Sequence, residues 1–178
     1  VRLFFPCFIA AFVLVSAVAG QVDGGRYKLE GVCLCCKTCE KTVEDLLAKV
    51  HGVSDVRCDH VAKTVTFKAK NEKAGDDGVS ALVNAGFYFK VSVGDKAYEI
   101  SSKPSGIKGE QIVLRNVHAC CEDCEKSIQG LFKSATVKFD GKDDVKILTV
   151  TGKNLDADAV LKTLHTAGLH GVIDENKK

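Results

Sequence analysis

The chain has 178 residues, 46% hydrophobic and 27% charged, a composition that excludes a disordered tail and allows one ordinary domain or two small ones. Its 25 Lys and Arg stand against 23 Asp and Glu, and a net charge of +2 lacks the cationic excess that nucleic-acid binding needs. Nine cysteines, with no methionine and no tryptophan, are the unusual numbers and the first candidates for chemistry.

Residues 1–20 read VRLFFPCFIAAFVLVSAVAG: Arg2, an apolar stretch over 3–15, then the small-x-small triplet Ala17, Val18, Ala19. That layout predicts a secretory signal peptide over 1–19, cleaved after Ala19, and hence a periplasmic or secreted protein. The run is short and broken by Pro6, which argues against an uncleaved anchor. Loss of Arg2 and Cys7 with the peptide would leave +1, eight cysteines and no segment long enough for a membrane.

A strand-like run over 27–34 leads into Cys33-Leu34-Cys35-Cys36-Lys37-Thr38-Cys39. Val43, Leu46, Leu47 and Val50 then fall at i, i+3, i+4 and i+7, one face of a helix, so the cysteines sit at a strand-to-helix turn. Alternation at Val53, Val56 and Cys58, and at Val61, Val65 and Phe67, predicts two strands, with Cys58 as a buried structural thiol. Residues 75–86 read as a second helix ending on glycine and 87–93 as a closing strand. The Ser-, Pro- and Gly-rich stretch 94–109 reads as a tether.

The pattern then returns. Cys35-Cys36-Lys37-Thr38-Cys39-Glu40-Lys41 recurs as Cys120-Cys121-Glu122-Asp123-Cys124-Glu125-Lys126 at an offset of 85. Leu29 and Val32 match Leu114 and Val117, and Leu46 matches Leu131; Leu82 and Ala85-Gly86 match Leu164 and Ala167-Gly168 at an offset of 82. Strands over 111–119 and 169–173, the helical stripe Ile128, Leu131, Phe132, and a helix over 156–168 complete the copy. Two βαββαβ units of about 65 residues follow, 26–93 and 110–174.

Two sulfurs separated by two residues in a turn can converge on one ion, and a soft thiolate pair suits Cu(I) or Hg(II). The start of a helix favours the thiolate, because its free N–H groups and dipole stabilise an anion. A βαββαβ unit with Cys-x-x-Cys at the first strand-to-helix turn, Val43 or Ile128 four residues after the second Cys, and Ala-Gly before the last strand resembles the heavy-metal-associated domain. That family includes copper chaperones, soluble arms of metal-pumping ATPases and periplasmic mercury scavengers. The resemblance covers about 140 residues in two copies. It implies an α+β fold of two tandem ferredoxin-like sandwiches, with Cys36 and Cys39, and Cys121 and Cys124, as the metal thiolates. It also implies a non-enzymatic role in capturing or passing Cu(I), with Zn(II) and Hg(II) as alternatives, and a metal-transporting or metal-accepting protein as partner.

The chain departs from the family pattern beside both motifs. Cys33-Leu34 and His118-Ala119 stand where Gly-Met is usual, and Cys35 or Cys120 immediately precedes the first ligand. Cys33, Cys35, His118 and Cys120 are therefore candidate auxiliary ligands, and four donors per turn would permit tetrahedral Zn(II) or a multi-copper thiolate cluster. His51, His60, His165 and His170 show no ligand spacing and are expected on the surface; Phe87 and Leu169 are expected in the core. Glu40-Lys41 and Glu125-Lys126 read as a solvated face.

Three other readings compete. A disulfide scaffold is disfavoured by parity, since the first unit holds five cysteines and the second three. A thiol–disulfide protein cycling Cys36 and Cys39 is a distinct alternative, although βαββαβ is not the thioredoxin order and Pro104 is the only proline after Pro6. The third is a structural module that no longer binds metal. No phosphate loop, Ser-His-Asp pattern or paired carboxylates point to an enzyme.

Overall fold

A computed structural model of the chain describes residues 24–102 and 104–176; the expected signal peptide, with Cys7, lies outside them. The described residues form an α+β structure of two antiparallel sheets and four helices. The first half runs β1 (Arg26–Glu30), α1 (Lys37–Ala48), β2 (Val53–Asp59), β3 (Thr64–Ala69), α2 (Glu72–Asn84), β4 (Lys90–Val93) and β5 (Lys96–Glu99). The second runs β6 (Lys108–His118), α3 (Glu122–Leu131), β7 (Thr136–Asp140), β8 (Val145–Asp156), α4 (Ala157–Thr166) and β9 (Val172–Ile173). The sheets are ordered β2-β3-β1-β4-β5 and β7-β8-β6-β9, so β1 and β6 hold equivalent inner positions. No helix of the described residues is long and apolar enough to cross a membrane.

Strand β1 buries alternate residues, while β6 also buries Val113 between its two core-facing residues. Tyr27 and Leu29 of β1 are buried opposite Phe67 and Val65 of β3, and the Tyr27 and Phe67 rings stack at 4.9 Å. Ile112 and Leu114 of β6 face Val150 and Leu148 in the same way. Helix α1 buries Cys39, Val43 and Leu47, spaced i, i+4, i+8, and α3 buries Cys124 and Ile128. The second cysteine of each motif thus begins the core-facing stripe of its helix. Cys58 is half-buried on β2, against the core, where a register shift between Ser54 and Arg57 interrupts the expected alternation.

The segment 94–109 is not a bare tether along its length. Gly94-Asp95 is a two-residue turn joining β4 to β5, with Val93 paired to Lys96. Further on, the Asp158 carboxylate accepts hydrogen bonds from the amides of Ser105 (2.8 Å) and Gly106 (3.0 Å), and Lys108 already belongs to β6.

Residues from both halves make one contiguous buried cluster. Their contact is reciprocal. The Tyr88 amide donates to the Gly168 carbonyl at 3.0 Å, and its counterpart His170 donates to the Gly86 carbonyl at 2.7 Å; Phe87 and Leu169 pair as an antiparallel bridge between them. Each Ala-Gly turn also presses on the chain that leads into the other half's cysteines. A Cβ on Gly168 would stand 2.1 Å from the Gly31 carbonyl oxygen and 2.6 Å from the Cys33 nitrogen; one on Gly86 would stand 2.3 Å from the His118 nitrogen. Both glycines have positive φ, +75° and +87°, so neither the backbone shape nor the space admits a side chain.

Replacing Gly168 with Ala is therefore expected to lower stability by about 1–3 kcal/mol in urea unfolding. Gly130→Ala, on the exposed side of α3 with open space around it, should leave stability unchanged or raise it by up to about 1 kcal/mol.

Candidate metal centre

Helices α2 and α4 start on side-chain caps: Asn71 accepts from the Ala74 amide at 2.9 Å, and Asp156 from the amides of Asp158 and Ala159. Helices α1 and α3 start instead on Cys36 and Cys121, extended at φ −153° and −155°, with no oxygen cap on their first amides. Those N–H groups, at the positive end of the helix dipole, are left for sulfur.

Because the halves dock as they do, the two cysteine turns face one another and their thiols merge into a single group. Within each half, Sγ of Cys36 lies 3.5 Å from Cys39, and Cys121 lies 3.3 Å from Cys124. The extra cysteines close the ring: Cys35 is 3.5 Å from Cys39, and Cys120 is 3.6 Å from Cys124. Across the halves, Cys35 meets Cys124 at 3.1 Å and Cys120 meets Cys39 at 3.5 Å, a pair of contacts related by the repeat. Cys36 also approaches Cys120 at 3.8 Å. Six sulfurs therefore form a cysteine-rich group that can hold a metal ion. Two sets of four have all their sulfurs within 4.8 Å of one another: Cys35, Cys36, Cys39 and Cys124, and Cys36, Cys120, Cys121 and Cys124.

Burial and neighbouring donors set the thiol acidities against each other. Burial opposes ionisation at Cys36, yet hydrogen bonds from the Cys39 amide, from the Cys39 and Cys120 thiols and from the Thr38 amide outweigh it and bring its pKa down to about 7. The same opposition ends in a lowered pKa at Cys124, where the thiols of Cys35, Cys121 and Cys120 donate. Burial prevails at Cys39, pushed up to about 12, and at Cys35 and Cys120, both strongly raised. At Cys121 the Cys124 amide favours the thiolate, but burial and the adjacent Cys124 sulfur leave the pKa raised. Binding of a metal across the group must accordingly displace protons as well as fill a space.

His118 lies fully buried at the end of β6, and neither ring nitrogen has a hydrogen-bond partner among the described residues. An unpartnered buried polar group costs about 1–3 kcal/mol. Its ring packs against Phe87 of the first half with centroids 4.3 Å apart, and one ring nitrogen lies within 4.8 Å of the Cys39 and Cys120 sulfurs, which are as close to each other. Cys33, its counterpart in the repeat, is not brought into any of these groups; its amide is held by Gly168 and burial raises its thiol pKa. Cys58 is also remote from them, bonded to the Glu40 carbonyl at 3.9 Å, and burial with Glu44 and Glu40 nearby pushes it up to about 12.

Sequence spacing gave no sign of a second histidine arrangement. His170, expected on the surface, is buried, and His165 is half-buried; their rings meet with Nε2 and Nδ1 3.0 Å apart, and His165 stacks on Tyr88 of the first half at 3.8 Å. They are covered by the contact between halves, which periodicity within one half cannot reveal. His51 and His60 are exposed, the latter bonded to Glu40 at 3.0 Å. The helix-opening charges are paired: Lys41 with Asp45, Lys126 with Glu122, and Glu125 with Lys146.

No protein-family model matches the chain, and comparison with curated proteins finds no match.

Three histidines tie the fold to pH. Burial pushes His118 down to about 4 and lowers His170, while burial together with His170 takes His165 down to about 4. The folded protein keeps these rings neutral where the unfolded chain takes up protons, so stability is present above about 6.5 and is lost as pH falls toward 4. The urea midpoint of the metal-free protein should fall steadily across that window. His165→Phe, which keeps a ring on Tyr88, should make the fall shallower.

Proposed function

We propose that the chain is a non-enzymatic metal-binding protein that holds or passes a thiophilic ion, Cu(I) foremost, in one thiolate cluster shared by two ferredoxin-like units of the heavy-metal-associated type, 26–93 and 110–174. The observation that carries this reading is the overlap of the two four-sulfur groups, which have Cys36 and Cys124 in common. Two separate tetrahedral Zn(II) sites would need eight distinct donors, whereas sulfurs shared between ions suit a multinuclear Cu(I) cluster. Hg(II), content with two thiolates, would use fewer of them.

The matching strand orders β2-β3-β1-β4 and β7-β8-β6-β9 support the ferredoxin-like reading of both units. The layout of residues 1–19 supports export, and so a periplasmic or secreted setting. Transfer would proceed by stepwise thiolate exchange with a metal-accepting protein that offers its own thiols.

Anaerobic titration with Cu(I) against a competing chelator is expected to show more than one ion per chain, taken up cooperatively with release of protons. Cys36→Ser/Cys39→Ser should remove more than its own half of the capacity, because the sulfurs of the other unit lose their bridging partners. Two independent sites, each lost with one Cys-x-x-Cys pair, would argue for separate centres, and no uptake by the folded wild-type protein would sink the metal reading.

One observation favours a thiol–disulfide role as the second reading: the closest thiol pair is Cys35 and Cys124, between units. Metal-free oxidation by a low-molecular-weight disulfide would join these two sulfurs and reduce the reagent to two thiols, which carry away the two protons. Peptide mapping should then find the Cys35–Cys124 link ahead of Cys36–Cys39; this reading further requires catalysed reduction of a model disulfide.

A further inference from the structure

The repeat makes the six sulfurs almost symmetric, and His118 is where that symmetry fails. Its counterpart is Cys33, which touches Cys35 but enters none of the metal groups, whereas His118 enters one, and its fully buried ring has no partner for either nitrogen among the described residues. A histidine kept in a core for packing alone would ordinarily find a donor or acceptor for at least one nitrogen. Phe87 covers the ring, and the nearest candidate partners in the metal groups are Cys39 and Cys120, one sulfur from each half.

We propose that His118 supplies a nitrogen ligand to one ion of the cluster, bound together with the Cys39 and Cys120 sulfurs. This rests on the metal-binding reading above and deepens it: one position in the cluster has a mixed nitrogen–sulfur donor set, and the remaining positions have sulfur only. Imidazole is an acceptable donor to copper, and a three-coordinate set of two sulfurs and one nitrogen is open to Cu(I). Neither Cys-x-x-Cys pair makes this position by itself, since Cys39 belongs to one motif and Cys120 precedes the other. The site exists only while the two halves are docked.

Three proteins test it: wild type, His118→Leu and His118→Cys. X-ray absorption of the Cu(I)-loaded wild type should show a nitrogen neighbour in addition to sulfur, and the ring ¹⁵N resonance of His118 should move as Cu(I) is added. His118→Leu should lose the nitrogen signal and hold its weakest ion at least about tenfold less tightly, the loss that follows even from removing a residue that only supports a metal ligand. Its metal-free form should be as stable as wild type or more so in urea, because the unpartnered nitrogens are gone; a purely structural histidine would give the opposite change. His118→Cys should restore capacity with an all-sulfur spectrum. If wild type loads Cu(I) with sulfur neighbours alone and His118→Leu binds it equally well, His118 is not a ligand, while the thiolate cluster stands. If wild type binds no Cu(I), both proposals fall.

Discussion

Two carbonyls and two glycines bring the cysteines together. The Gly86 and Gly168 turns each accept a hydrogen bond from the opposite half and lie against the backbone that feeds the opposite cysteine turn. This is the geometry of a two-fold interface, in which one patch recognises its own copy, built here within a single chain. Without it the six sulfurs would be two surface motifs of three. With it, Cys39 and Cys124 are buried beside partners from the other half, and Phe87 of the first half covers His118 of the second.

The choice of residue at the start of each helix complements that docking. Asn71 and Asp156 occupy the first amides of α2 and α4 with oxygen, as helix ends require when nothing else is to bind there. Cysteine at the start of α1 and α3 makes no such cap and leaves the amide dipoles for a thiolate. Burial works against every charge in the group, so ionisation settles where donors converge, at Cys36 and Cys124. The same two sulfurs are common to both four-thiol sets. A metal that bridges them would meet the least costly protons first.

Much of this was legible in the sequence because the repeat is nearly in register. The offset of 85 located the strand-to-helix turns, the stripe Val43 and Leu47 located the buried face of α1, and the departures at Cys35, Cys120 and His118 marked the residues that enter the metal groups. Contact between the halves was not legible, since neither periodicity nor spacing carries information across a docking surface. His165 and His170 looked solvent-facing for that reason, and Cys33 looked equivalent to His118 although only His118 enters a metal group. One clue was present: with an odd number of cysteines in each half, complete pairing would have needed a bridge between the halves. The Gly94-Asp95 turn was another readable signal, and its two flanking strands explain why part of 94–109 is ordered against β4.

Among the six clustered cysteines, Cys35 alone is exposed; its counterpart Cys120 is half-covered, and Cys39 and Cys124 are buried. Near-symmetry of the sulfurs is therefore not symmetry of access. An ion arriving from solvent at Cys35 while the halves stay docked would meet both motifs at once, since that sulfur touches Cys39 of the first and Cys124 of the second. The duplicated halves are thus not interchangeable at the surface: the open sulfur is contributed by the first, and it rests on buried sulfurs of both.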